Sequence, residues 1–425
     1  MILVISLLLV VMALIGAPLF LVFGGASILG FSLQGIDLSA IMIELYRMAG
    51  TPILITIPLF TFSGYMLAES GAPQRLVRFT NALFGWFPGG IAIVTLLACA
   101  FFTAFTGASG VTIIALGGLL YPILIKERYP ERFSLGLVTT CGSLGLLFPP
   151  SLPLILYGLI SGVNIDDLFL AGIVPGIILL AILSSYAIWK GRQAKVIQSE
   201  FHLKEVVASL RAFIWELPLP LILLVGIYGG FITVSEAAAI TAMYVFIVEF
   251  VVYRDLRLRR DLLRIIRESM VLVGGILMIL AVAMGFTSFL IDARVPMKIL
   301  GFMQQYISSP LMFLFVLNIF LLIVGCLMDI FSAIIVVVPL ITPIAKQFGV
   351  DPVHLGIIFL TNLEIGYLTP PVGLNLFLSS FRFDKPIMEI YRSTIVYVLL
   401  LFVALGLFTY IPALSVGPLQ WFKGL

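Results

Sequence analysis

Residues 142–158, GSLGLLFPPSLPLILYG, are apolar enough for the interior of a bilayer yet hold Gly142, Gly145, Pro149, Pro150 and Pro153. Proline removes a backbone N–H and clashes with the preceding turn, so no continuous helix is expected to run through this stretch. In hydrocarbon each unpaired backbone group costs several kcal/mol, and such a break survives only where protein buries it or an aqueous cavity faces it. The pattern returns at 362–380, NLEIGYLTPPVGLNLFLSS, with Gly366 in the place of Gly145 and Pro370–Pro371 in that of Pro149–Pro150.

Composition puts both stretches in a membrane. Hydrophobic residues make up 61% of the 425 and charged residues 11%, whereas soluble domains carry about a quarter charged. Mean hydropathy is +1.21. A net charge of +3 without a long basic run leaves nothing for nucleic acid to bind. The histidines are His202 and His354, and the cysteines, Cys99, Cys141 and Cys326, stand at unrelated spacings in apolar surroundings. That supply supports neither a disulfide framework nor a transition-metal centre. The opening MILVISLLLVVMALIGAPLF has no basic residue before its apolar run, which predicts a first membrane segment and not a cleaved leader.

Apolar segments read at 2–33, 46–70, 89–125, 133–163, 168–189, 213–231, 233–253, 270–292, 310–345, 354–380 and 390–413. A crossing needs about 20 residues. Segment 2–33 breaks at IGAP (15–18) and makes one or two passes. Segments 89–125 and 310–345 break at TGASG (106–110) and GCLMD (325–329). Two arms of about 15 residues each fall short of ~30 Å at ~1.5 Å per residue, so both are predicted as re-entrant hairpins. Basic residues set the orientation. Lys190, Arg192, Lys195, Lys204 and Arg211 in one connector, and Arg254, Arg257, Arg259, Arg260, Arg264 and Arg267 in the next, face the cytoplasm. Traced outward from these, the two halves come out inverted and both termini are external.

The order of motifs repeats too. PLFTFSGYMLAESGAPQRL (58–76) matches AVAMGFTSFLIDARVPMKI (281–299); a hairpin ending YPI (121–123) or TPI (342–344) follows, then a broken span. Inverted repeats with paired broken helices mark secondary transporters. The fold class is therefore an all-α polytopic membrane protein with inverted repeats, two re-entrant hairpins and two discontinuous helices. It divides into first-repeat scaffold helices (1–88), a first transport core (89–163), scaffold helices with cytoplasmic connectors (164–309), a second core (310–380) and a C-terminal membrane helix (381–425). Leu258, Leu262, Leu263, Ile266 and Met270 share a helical face, which predicts a helix along the interface, with a solvated loop as the alternative.

Broken helices place half-helix C-termini, each about half a negative charge, at mid-membrane. A small cation without its water satisfies these dipoles and the orphan carbonyls together. In the first half Thr106, Ser109 and Thr112 at the hairpin tip face the carbonyls of Gly145, Phe148 and Pro149. In the second, carbonyls at Gly325 and Leu327, with Asp329 and Ser332, face Gly366, Thr369 and Val372. Hard oxygen donors suit Na+. A proline-kinked helix with packing glycines explains one break alone; two at matching, inverted positions point to ion sites. Asp329 binds a cation or caps the second arm of its hairpin. Glu364 and Glu236 pair with a cation or a scaffold arginine. Arg47 attracts an anionic substrate or snorkels to the interface.

IPLFTFSGYMLAESG (57–71), PGGIAIV (88–94), FPPSLPLILYG (148–158), LFLAGIVPG (168–176) and LTPPVGLNLF (368–377) resemble, in order, the large membrane subunit of tripartite ATP-independent periplasmic (TRAP) transporters. The resemblance spans nearly the whole chain and implies an elevator-type transporter in a bacterial or archaeal cytoplasmic membrane, coupled to sodium. It implies two partners, a small four-helix membrane subunit and a periplasmic substrate-binding protein. The small subunit's signature is absent here, so it is expected as a separate chain. The substrate class is a small organic anion or zwitterion, held between the two tips, with Ser109, Ser143, Pro150, Asn362, Pro371 and Asn375 as candidate contacts. Glu364 departs from the family's expected pattern.

Gly107-Ala108-Ser109-Gly110 has the G-x-S-G form of an intramembrane serine protease. That chemistry needs a histidine base beside the serine, and both histidines fall in connectors away from the tip. No phosphate loop of the form G-x-x-x-x-G-K-[ST] is present. The chain reads as a carrier and not an enzyme. The runner-up is a stand-alone Na+- or H+-coupled carboxylate carrier with the same inverted-repeat core.

Overall fold

A chain that lives in lipid closes its backbone hydrogen bonds within each segment, and among the described residues every regular element is helical. The computed structural model describes residues 8, 11–12, 17–87, 89–194, 196, 200–307 and 309–424. Whether segment 2–33 makes one pass or two rests on residues outside these, and the Arg47 side chain is outside them as well.

The first half opens with α1 (Leu19–Gln34), α2 (Ser39–Ala49), α3 (Thr56–Glu69) and α4 (Ala72–Phe84). Its hairpin is α5 (Gly90–Thr106), a tip at 107–108, and α6 (Ser109–Lys126), which carries a π-helical turn at Ile113–Gly117. The broken span follows as α7 (Glu131–Cys141), a 3₁₀ turn at Leu144–Leu147, and α8 (Leu152–Ser161); its two halves are bent by 44°. A long helix, α9 (Ile165–Ala194), leads to α10 (Leu203–Phe213), α11 (Pro218–Tyr228), α12 (Val234–Val252), α13 (Leu262–Asp292) and α14 (Val295–Tyr306). The second hairpin is α15 (Pro310–Leu327) and α16 (Ile330–Gln347); the second broken span is α17 (Pro352–Gly366) and α18 (Leu374–Phe383). The described chain ends in α19 (Ile387–Tyr410) and α20 (Ala413–Lys423).

Both tips fall inside the predicted motifs, for different backbone reasons. Gly107 takes the left-handed conformation, φ 63°, and closes α5, whereas the second tip uses extended Met328 and an Asp329 cap. The arms, at 17 and 18 residues, are about 26 Å long.

The core gathers around the two broken spans. α15 packs on α17, α7 on α19, and α8 on α16; α9 packs against α5, α17, α19 and α20. On the other side α3 bridges to the remaining helices, touching α5 as well as α12 and α13, and α1 lies along α13. Among the described residues one large apolar core joins them, with a small second cluster of Leu135, Leu376 and Ile390 between α7, α18 and α19. The connectors differ in kind. Residues 203–213 do form a helix, bent 65° from α11. Of the predicted interfacial helix, residues 258–261 are turn and 262–270 are the start of the 31-residue α13, with Ile265 and Ser269 buried and Leu263 exposed. The apolar stripe there does continue into the next membrane segment, so nothing terminates the helix.

One buried ion cluster ties α4 to the later helices. Arg75 Nε lies 2.5 Å from Glu216 and Nη2 lies 3.1 Å from Glu249, while Nη1 pairs with Asp255. The guanidinium also sits 3.7 Å over the Tyr253 ring. Glu216 and Glu249 are 1% and 0% exposed, so one arginine compensates two buried carboxylates. Arg75→Ala leaves both uncompensated and is expected to cost about 3 kcal/mol or more. Thermal unfolding in detergent checks this: Arg75→Ala lowers the midpoint sharply, and the same change at exposed Arg78 does not.

Candidate functional site

Each hairpin tip meets the break of its own repeat, and glycine makes the approach possible. A methyl at Gly366 would stand 2.4 Å from the Gly325 carbonyl carbon, and one at Gly145 would stand 2.3 Å from the Ala100 carbonyl oxygen. Backbone rests on backbone at both places, one turn or two before the tip. Both Pro–Pro bonds of the breaks are cis.

At the first break the tip hydroxyls point inward. Thr106, Ser109 and Thr112 are all buried. Thr103 Oγ1 lies 2.8 Å from Thr112 Oγ1 and 2.9 Å from the Gly142 carbonyl, so a threonine pair spans tip and broken helix. Ser109 meets the break at Gly142, its carbonyl 3.2 Å from where a Gly142 methyl would be. Gly145 packs instead on the first arm, against Ala100, Thr103 and Ala104 of α5. Its carbonyl and that of Phe148 each accept one turn bond, from Phe148 N at 3.1 Å and Ser151 N at 3.0 Å, and keep a second lone pair. The side chains of Phe148 and Pro149 turn the other way, into an apolar cavity of about 470 Å³ lined also by Phe79, Phe101, Phe105 and Leu223.

The second tip is more open. Gly325 and Ser332 are buried, but Leu327, Asp329 and Val372 are exposed and Thr369 is half-buried. Gly373 N donates to the Cys326 carbonyl at 3.3 Å, tying break to tip directly. Asp329 is the N-cap of α16: Oδ1 accepts from Phe331 N and Ser332 N at 3.0 Å, and Ser332 Oγ donates to Oδ2. Tyr367 Oη accepts from Ile330 N at 2.6 Å. Thr369 Oγ1 donates to the Ile365 carbonyl at 2.7 Å.

Between the breaks, α18 crosses α7. Asn375 Nδ2 lies 3.4 Å from both the Thr139 carbonyl and Ser143 Oγ. Asn375 Oδ1, Ser379 Oγ one turn on, and Thr140 Oγ1 are buried without a hydrogen-bond partner. Buried polar atoms are normally paired, so this cluster has capacity left for a ligand's polar groups. Asn362 lies elsewhere: its Nδ2 donates to Asn318 Oδ1 at 2.7 Å and to the Ile358 carbonyl at 2.8 Å, facing α15. Pro150 is buried at the first break, while Pro371 is exposed at the second and its carbonyl accepts from Tyr391 Oη at 3.2 Å.

Other acidic and basic candidates resolve plainly. Glu236 forms a capping box with Thr233. Glu364 is 1% exposed, and neither carboxylate oxygen has a hydrogen-bond partner. His354 is not in an open connector; it is buried, with Nδ1 2.7 Å from Ser415 Oγ. Thr103, Tyr367, Thr140 and Ser379 belong to the sites and escaped sequence reasoning, while Gly142 and Cys326 lay inside the predicted motifs without being assigned a contact. Only Thr103, one turn before the tip, carried a spacing signal.

Two hairpins locked onto two broken spans in inverted repeats define the class: a multi-pass membrane transporter. The chain matches the family model "Tripartite ATP-independent periplasmic transporter, DctM component" over residues 5–414 and belongs to that family. It is 38% identical to the C4-dicarboxylate TRAP transporter large permease protein DctM of Pseudomonas aeruginosa, covering 94% of this chain and 93% of that protein. It is 30% identical to the 2,3-diketo-L-gulonate TRAP transporter large permease protein YiaN of Escherichia coli, covering 93% of each. Among solved structures, the Alcanivorax borkumensis YdaH transporter superposes with a TM-score of 0.59 at 12% identity, covering 87% of this chain and 86% of that one, a likeness of fold. Proteins of this family are transporter permease subunits and not enzymes.

The glycine seats give a direct test. Overpacking a rigid core costs about 1–3 kcal/mol, and at Gly145 or Gly366 the obstructing atoms are backbone, which yields least. Gly145→Ala and Gly366→Ala are each expected to insert normally and lose most substrate uptake. Gly406→Ala, which meets no atom within 4 Å, is expected to keep it, as measured by uptake into proteoliposomes at equal protein.

Proposed function

We propose that this chain is the large subunit of a tripartite, sodium-coupled uptake system for a small organic acid. Sodium binds at each tip-and-break junction, and the substrate binds between them against the Thr140–Ser143–Asn375–Ser379 cluster. The observation that carries this reading is the paired junction itself. At each, a hairpin tip and a broken helix converge, and neutral oxygen donors face a half-helix C-terminus. Hydroxyls and carbonyls are the donor type a hard monovalent cation accepts. At the second junction Asp329 spends its lone pairs mostly on the cap, so carbonyls near Gly325 and Gly366 are the stronger candidates there.

The named relatives carry C4-dicarboxylate and 2,3-diketo-L-gulonate, both acids, which supports an organic anion as substrate. A soluble periplasmic protein delivers it, and a separate four-helix membrane subunit completes the transporter. The core, α5–α8 with α15–α18, moves past α1–α3 and α10–α14 in an elevator step. The chain sits in a bacterial or archaeal inner membrane with both termini external.

Reconstitution of this chain with its small subunit and binding protein tests the reading. Uptake is expected to follow an imposed sodium gradient; uptake indifferent to collapse of that gradient would sink sodium coupling, and uptake without a binding protein would favour the stand-alone carrier. Ser109→Ala is expected to raise the sodium concentration for half-maximal uptake. Asp329→Ala loses a cap worth about 1 kcal/mol, whereas Asp329→Asn keeps the acceptor. A sodium response equal to wild type in Asp329→Asn assigns Asp329 to capping alone.

A further inference from the structure

α18 touches both junctions. At its start, Asn375 N donates to the Tyr367 carbonyl at 3.2 Å, and Tyr367 Oη holds Ile330 N at the second tip. Across α7, Asn375 reaches Thr139 and Ser143. Along its length α18 lies on the second arm of the first hairpin, where that arm is irregular. The π-helical turn Ile113–Gly117 begins one residue after Thr112. Such turns shift the carbonyl ladder and cluster at functional positions.

Arg382 engages that turn. Its Nε donates to the Ile114 carbonyl at 2.9 Å. Its guanidinium occupies the space a side chain at position 118 would take, with Nη2 1.9 Å from where a Gly118 methyl would be. Phe383 packs on Tyr121 with ring centroids 4.9 Å apart, and Lys385 Nζ lies 2.5 Å from Glu131 at the base of α7. Leu378 fills the corresponding space at Gly110, 2.9 Å from its would-be methyl. So α18 is seated on α6 by Leu378, Arg382 and Phe383, and the seat ends at the residues that form the first tip.

We propose that Arg382 is a positioning residue: by holding the Ile114 carbonyl of the π turn, it makes the first tip's geometry depend on α18 and hence on the second junction. The inference rests on the two-junction reading above but assigns a residue that the reading does not use. A charge-assisted hydrogen bond to a carbonyl is among the stronger polar contacts, and a short helix touching two junctions is a physical route for coupling between them.

Hydrogen exchange on the full chain in lipid nanodiscs, with and without sodium, tests it. Arg382→Gln removes the donor. Gly118→Ala leaves Arg382 intact but evicts the guanidinium, and it raises helix propensity, so general unfolding is not its expected effect. Each is expected to speed exchange at residues 107–112 by about tenfold, with residues 327–330 unchanged. The double variant is expected to match either single one, because both remove one contact, and Arg382→Lys restores part of the protection. In wild type, sodium slows exchange at both tips; in the variants its effect persists at 327–330 and is lost at 107–112. Sodium without effect on either tip in wild type overturns the sodium reading, while the sodium-free comparison still decides Arg382. Exchange at 107–112 equal to wild type in both single variants, additive effects in the double, or a rise spread evenly over the chain overturns the positioning role.

Discussion

Interrupting a helix inside hydrocarbon leaves N–H and C=O groups that no water reaches, and the whole molecule is organised around answering that debt. The answer is local turn bonds, such as Phe148 N to the Gly145 carbonyl and Thr369 N to the Gly366 carbonyl, with Gly373 N on the Cys326 carbonyl and Tyr367 Oη on Ile330 N linking break to tip. Close approach at Gly366 on Gly325, and at Gly145 beside Ala100, Thr103 and Ala104, brings break and hairpin near enough for this. The remaining helices bury these junctions: α9 and α11 with α4 stand around the first, and α15 and α19 close on α17. The result is two polar foci set in an apolar body, the first buried and the second partly exposed.

The two junctions are related in sequence but not equal in structure. The first is closed: its tip hydroxyls are buried and a threonine pair crosses it. The second has Pro370, Pro371 and Val372 exposed. An inverted repeat places the same motif in opposite orientations relative to its surroundings, so identical local chemistry meets different neighbours. That inequality is what a carrier with two end states requires of any single conformer.

Much of this was legible beforehand, because proline, glycine and charge act locally. TGASG and GCLMD located both tips, the Pro–Pro pairs located both breaks, and the aspartate of GCLMD was readable as a cap because capping depends on the next three residues. Long-range partners were not legible. Tyr367 reads as an ordinary aromatic beside a glycine, yet its hydroxyl serves a tip 37 residues upstream. Asn362 and Asn375 look alike in NLEIGYLTPPVGLN, but helix phase turns one to Asn318 and the other to Ser143. Glu236 was weighed as a cation partner when a threonine three residues earlier already claimed it. The connector over 258–270 misled because amphipathic spacing reports a helix but not where it stops.

The cavity behind Phe148 and Pro149 has a mechanical consequence. Its walls are largely apolar side chains from α4, α5, α9 and α11, and contact between such side chains is non-directional. The directional ties of α4 lie outside the cavity, in the Arg75 cluster with Glu216, Glu249 and Asp255. Free volume beside Phe148 and Pro149 therefore lets these side chains shift without breaking a hydrogen bond, while the ion pairs keep α4 in place.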